Sequence, residues 1–170
     1  MKAIEIGKEI INEFETIYKN KWLNMMKKKL GFVDDKKNDD ILIKKLLIWM
    51  ENNKVDYTNT FIYLMNDTMI IDKKYENDSF KSIKEDINKR KLNNFNNKKE
   101  KINLYNPLII PRNHIVEEAL SLIENEGNYQ KFDNLLNAIK EPYQEGKDTK
   151  DFQKIPDPLF EKSYQTYCGT

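Results

Sequence analysis

Cysteine is nearly absent from this chain, and Cys168 is the only one. A lone thiol excludes an internal disulfide framework and any multi-cysteine zinc site, and it fits a reducing, cytoplasmic setting. Histidine is equally scarce, so Ser-His or Cys-His catalysis would have to run through His114 alone. The five glycines, Gly7, Gly31, Gly127, Gly146 and Gly169, are scattered, and none has the close neighbours that a phosphate-cradling loop requires. No apolar run is long enough to cross a bilayer. Near Met1, the residues Lys2, Glu5, Lys8 and Glu9 break up any signal-peptide stretch before it forms. Charge of one sign is missing too: 29 Lys and Arg against 28 Asp and Glu leave a net charge of +1. No overall field then draws in nucleic acid or an anionic membrane, and neither is expected as a partner.

What is present is a polar exterior around enough apolar material for a core. Of 170 residues, 39% are hydrophobic and 11% aromatic, while 34% are charged. That length suits one domain, since domains run from about 50 to 250 residues. The expectation is a single helical domain over residues 1–170: an irregular, all-α bundle with an extended C-terminal tail.

Apolar spacing of three and four residues carries this expectation. Ile11, Phe14, Tyr18, Trp22 and Met25 share one stripe of a long first helix, which Lys27, Lys28, Lys29 and then Gly31 bring to a stop. Asp39 or Asp40 is the expected cap of a second helix carrying Leu42, Leu46, Trp49 and Met50 inward. Thr58 is the expected cap of a third through Phe61, Ile62, Leu64 and Met65. These N-terminal helices fill residues 1–71. In 72–105 the chain turns rich in Lys and Asn, with Phe80, Ile83 and Ile87 widely spaced; one marginal helix and a linker are expected. The basic run Lys98, Lys99, Lys101 reads as a solvated face.

Residues 106–143 read as a helical hairpin. Pro107 and Pro111 bracket an extended Leu108-Ile109-Ile110, and Asn113 is the expected cap of a helix bearing Val116, Leu120 and Ile123. Gly127 ends that helix, and Asn128 starts another with Phe132, Leu135, Leu136 and Ile139. Gly146, Pro156 and Pro158 break any period beyond Pro142, so residues 144–170 are expected as a surface tail ending in Cys-Gly-Thr.

Chemistry is thin. Asp151-Phe152-Gln153 resembles a magnesium-binding Asp-Phe-Gly but lacks the glycine, and is read as tail. His114, Glu117 and Glu118 lie in the first turn of a helix, where packing and dipole interactions account for them without catalysis. No catalytic residue and no metal ligand are assigned. Arg112, held between Pro111 and Asn113, can fork onto a carboxylate in an ion pair or onto a ligand phosphate. Cys168, the third residue from the end, is placed for redox contact or is an inert terminal thiol.

Several segments together resemble the SelO family, kinase-like proteins that transfer AMP from ATP to hydroxyl side chains of other proteins. They are Trp22 with Met26 and Lys29-Leu30-Gly31; Asp56-Tyr57-Thr58 with Thr60-Phe61; and Asn106-Pro107 with Ile110-Pro111-Arg112-Asn113-His114. Val116-Glu117, Ala119-Leu120, Phe132, Leu135-Leu136 and Pro142-Tyr143 follow in order, and Tyr164, Thr166, Tyr167, Cys168, Gly169 and Thr170 close the chain. The resemblance is to the C-terminal part of that family. It departs over residues 72–101 and at Pro156-Asp157-Pro158.

The resemblance implies that the ATP and Mg machinery of the full-length family lies in a kinase-like N-terminal region outside this chain. It also implies that Cys168 holds a redox position able to pair with a cysteine of that core. The chain is then not catalytic alone; its partners are the kinase-like region and the protein substrates of the full-length enzyme, and it self-associates if cut from its core. A stand-alone helical module that binds a protein partner is the other expectation.

Overall fold

The computed structural model describes residues 2–66, 73–92 and 104–165, and every regular element among them is a helix. Two compact units emerge, residues 1–106 and 107–170.

In the first unit, α1 spans Lys2–Leu30, and the expected stop is the observed one. Gly31 takes φ 74°, its N–H donates to the Lys28 carbonyl, and Phe32 N–H donates to that of Lys27. This is a Schellman ending, which needs the left-handed glycine. α2 spans Asp39–Asn53, α3 Tyr57–Met65 and α4 Asp78–Leu92, with a 3-10 turn at Lys73–Glu76.

The expected caps shift by one or two residues. Asn38, in the left-handed region at φ 78°, precedes α2, and Asp39 lies inside the first turn. Asp56, not Thr58, caps α3, its Oδ1 accepting from Asn59 N–H at 2.7 Å. An aspartate one residue before the helix reaches the free amides better than a threonine already within it.

The core of this unit joins Met26 and Leu30 of α1, Ile43, Leu46, Trp49 and Met50 of α2, Phe61 and Leu64 of α3, and Phe80, Ile83 and Ile87 of α4. The last three correct the expectation of a marginal helix. Their spacing sets them on one line of α4, all are buried, and α4 packs along α2. Three residues suffice because the opposing surface is aromatic: Phe80 lies 4.5 Å from the Trp49 ring and 5.1 Å from Tyr75. Asn77 caps α4, its Oδ1 accepting from Phe80 N–H at 2.8 Å. The asparagine-rich run 93–97 lies outside the described residues.

The stripe expected on α1 is also corrected. Ile11, Phe14, Tyr18 and Met25 do share a face, but that face is exposed; of the expected stripe Trp22 packs against the core, beside Leu23, Met26 and Leu30.

In the second unit the chain runs extended from Pro107 to Arg112, and the N–H groups of Leu108 and Ile109 both donate to the Pro142 carbonyl. α5 spans Asn113–Glu126 and α6 Gln130–Lys140; Gly127 at φ 62° separates them, giving the expected hairpin. Ile115 and Ala119 are the buried residues of α5, one step from the expected line, and Leu135 is that of α6.

The tail is not wholly extended. It carries two short helices, α7 at Thr149–Phe152 and α8 at Pro158–Ser163. Phe152 packs with Ile109, Ile115 and Leu135, and Gln153 Nε2 donates to the Leu108 carbonyl at 3.1 Å. Phe152 and Gln153 thus belong to a small core rather than to an extended surface tail, while Asp151 stays exposed: one buried aromatic ring anchors a segment without any sustained period.

Candidate functional site

The most structured polar site lies in the second unit, at the start of α5. Pro111 restricts the preceding backbone to extended geometry, Arg112 takes the cap position at φ −72°, ψ 135°, and its carbonyl accepts from the N–H groups of Ile115 and Val116. The Arg112 side chain is buried, 8% exposed. His114 follows in the first turn and meets Phe160 of α8 edge to face, ring centroids 5.9 Å apart.

Beside His114 opens a cleft of about 510 Å³, lined among others by Glu118, Lys131, Asp151, Lys154 and Asn134. Lys131 pairs with Glu118 across the hairpin, and Lys154 pairs with Asp151 at 2.7 Å. Burial holds the imidazole below its ordinary range, and the charge of Arg112 pushes the same way. Both effects favour the neutral imidazole. The pairing with Lys154 draws the Asp151 carboxyl below its usual range and lifts the Lys154 ammonium above its own.

Chemically the cleft is a polar groove in which three carboxylates, those of Glu118, Asp148 and Asp151, stand against two lysines. Among the described residues no serine, threonine or cysteine lines it, and no group of three His, Cys, Asp or Glu side chains suited to a metal occurs. Both lysines are engaged by carboxylates, which leaves little surplus positive charge for a phosphate chain. Glu117, the other carboxylate weighed from the sequence, accepts from the Tyr164 hydroxyl at 3.3 Å. Cys168 lies outside the described residues. Lys131 and Lys154 are not singled out by the sequence, and Asp151 reads there only as part of the tail triplet. The three-residue spacing of Asp151 and Lys154 was the available signal, whereas the Lys131–Glu118 pair depends on the hairpin register.

In the first unit, distant motif residues meet. The buried Asn106 donates from Nδ2 to the Lys29 carbonyl at 2.8 Å, and Lys29 Nζ donates to the Tyr105 carbonyl at 3.2 Å while lying 4.7 Å over the Phe61 ring. Lys29-Leu30-Gly31, Thr60-Phe61 and Asn106 thus form one junction that ties residues 104–106 to the end of α1.

That ordered set of motifs is matched by known proteins. Residues 2–140 match the family model described as Protein adenylyltransferase SelO, and the chain belongs to the SelO family. Among curated relatives, the Protein nucleotidyltransferase YdiU of Pelagibacter ubique (strain HTCC1062) is 40% identical over 172 residues. The protein of the same name from Clostridium perfringens (strain SM101 / Type A) is 42% identical over 176, and that of Clostridium botulinum (strain 657 / Type Ba4) 37% over 173. Each alignment takes in 99% of this chain and 35% of the relative. The chain therefore spans about a third of the length of the curated relatives it matches. No helix among the described residues is long and apolar enough to cross a membrane.

Proposed function

We propose that this chain is the C-terminal helical region of a SelO-type protein adenylyltransferase, that it supports a kinase-like core, and that Cys168 is its redox residue. The observation that carries this is the family match over residues 2–140 in a chain spanning 35% of its relatives' length. The residues present do not fit ATP with Mg: the glycines are dispersed, the cleft lysines are neutralised by carboxylates, and the described carboxylates form no three-ligand group. Nucleotide and metal are assigned to the rest of the family fold, and AMP transfer to protein hydroxyls is an activity of the whole.

Co-expression tests it. This chain is produced with the part of the Clostridium perfringens relative that lies outside the matched segment, and AMP transfer from labelled ATP to protein is measured. Transfer only when both are present is the expected result. ATP bound by this chain alone with a micromolar constant in calorimetry sinks the proposal, and transfer indifferent to its presence favours a stand-alone interaction module. Loss of a redox response in Cys168→Ser, with transfer retained, is expected of the thiol's role.

A further inference from the structure

Helix α1 carries two apolar faces that point in different directions. At about 100° per residue, Ile4, Ile6, Ile10, Ile11, Phe14, Ile17 and Tyr18 fall within an arc of roughly 160°, and the charged and polar residues from Glu5 to Asn20 fill the remainder. All seven apolar side chains are between 50% and 73% exposed. Beyond Trp22 the apolar face changes sides. Leu23, Met26 and Leu30, which enter the core of the first unit, centre roughly 150° around the axis from the exposed arc. The end of α1 is thus built into this unit, while residues 4–18 are patterned for a different body.

We infer that the exposed face of residues 4–18 is the docking surface for the remaining part of the SelO-family fold, the body proposed above as the kinase-like core. This inference rests on that reading. Three observations select the occupant. The relatives carry about two thirds of their length outside the matched segment, which supplies a folded body of the required size. The arc is too broad for the two-stranded seam that a second copy of α1 would offer, since such a seam uses a narrow stripe of two positions in seven. The polar side of residues 2–19 mixes Lys2, Lys8 and Lys19 with Glu5, Glu9, Glu13 and Glu15, unlike the cationic face of a helix that lies on anionic lipid.

The test uses Ile11→Glu and Phe14→Glu on the exposed face, with Glu9→Lys on the polar side as control. The tagged 170-residue chain is co-expressed with the unmatched part of the Clostridium perfringens relative, and the amount co-purified is measured. Wild type and E9K retain the partner, and I11E and F14E each lower recovery at least ten-fold while the melting temperature of the chain alone stays unchanged. Equal recovery by all four overturns the inference and leaves the supporting role intact; no recovery by wild type overturns both. A lowered melting temperature for the variants alone shows the face covered within this chain and overturns the inference. So does concentration-dependent dimerisation, or sedimentation with phosphatidylserine vesicles, that F14E abolishes.

Discussion

Arg90 grips Asp39 with two hydrogen bonds, from Nε to Oδ1 at 2.6 Å and from Nη2 to Oδ2 at 3.0 Å. The pair fastens the last turn of α4 to the first of α2, and Asp39 is only 3% exposed. The same guanidinium reaches Asp34 and stacks on the Phe32 ring at 4.7 Å. Removing one partner of a buried pair strands the other, at a cost of about 3–5 kcal/mol. Because Asp34 remains to Arg90, Asp39→Ala is expected near the lower end, about 3 kcal/mol by urea denaturation.

The same pair sets an acid limit. Burial works against the Asp39 carboxylate, but hydrogen bonds from Arg90 and the Lys36 amide outweigh it and hold its proton affinity below the ordinary carboxylate value. A folded-state value below the unfolded one gives stability that is complete above about pH 4 and lost as pH falls through the lower folded value. Denaturation midpoints between pH 5 and 2 should drop more steeply for wild type than for Arg90→Met. Parallel curves would show that the pair is not linked to folding.

His114 is the only histidine, so one imidazole signal reports its titration. Burial, reinforced by Arg112, lowers its folded value, so the unfolded chain takes up the proton first as pH falls. Stability is then complete above about 6.5, declines as pH falls toward the folded value and levels off below it. Proton NMR of the ring should give a midpoint under about 6.5, and a midpoint above that excludes the proposed environment.

Phe80 is fully buried among Trp49, Tyr63 and Tyr75. Phe80→Ala should cost about 3–5 kcal/mol and shift the Trp49 emission. A loss under about 1 kcal/mol would mean that α4 is dispensable to this core.

Two helix ends invite opposite substitutions. Gly127 has open space where a Cβ would sit but φ 62°, so Gly127→Ala should lose about 1 kcal/mol through backbone strain alone. Lys54 adopts φ 47° with a side chain present, and Lys54→Gly should gain up to about 1 kcal/mol. Thermal melts of the two variants should move in opposite directions.

Much of the fold was legible because helix stops are local. Gly31 and Gly127 lie where the spacing put them, and α2, α3 and the hairpin follow from apolar steps of three and four. α4 was underrated because its three apolar residues gain their effect from an aromatic surface contributed by α2 and the 3-10 turn. Phe152 was missed for a related reason: a single anchor leaves no period. On α1 the sequence shows that an apolar face exists but not which body covers it. Of the candidate site, the place of Arg112 and His114 at a helix start was readable from Pro111, whereas the Lys131–Glu118 pair appears only once two helices are set side by side.

The split character of α1 bears on how tightly it can be held. Five isoleucines and Gly7 are weak helix formers, and a stretch of some 15 residues without tertiary cover is marginal in water. Amides of residues 4–18 should therefore exchange hydrogen for deuterium far sooner than those of 23–30. Any surface that captures this segment must also complete its winding, which trades affinity for a demand that the whole length be seated at once.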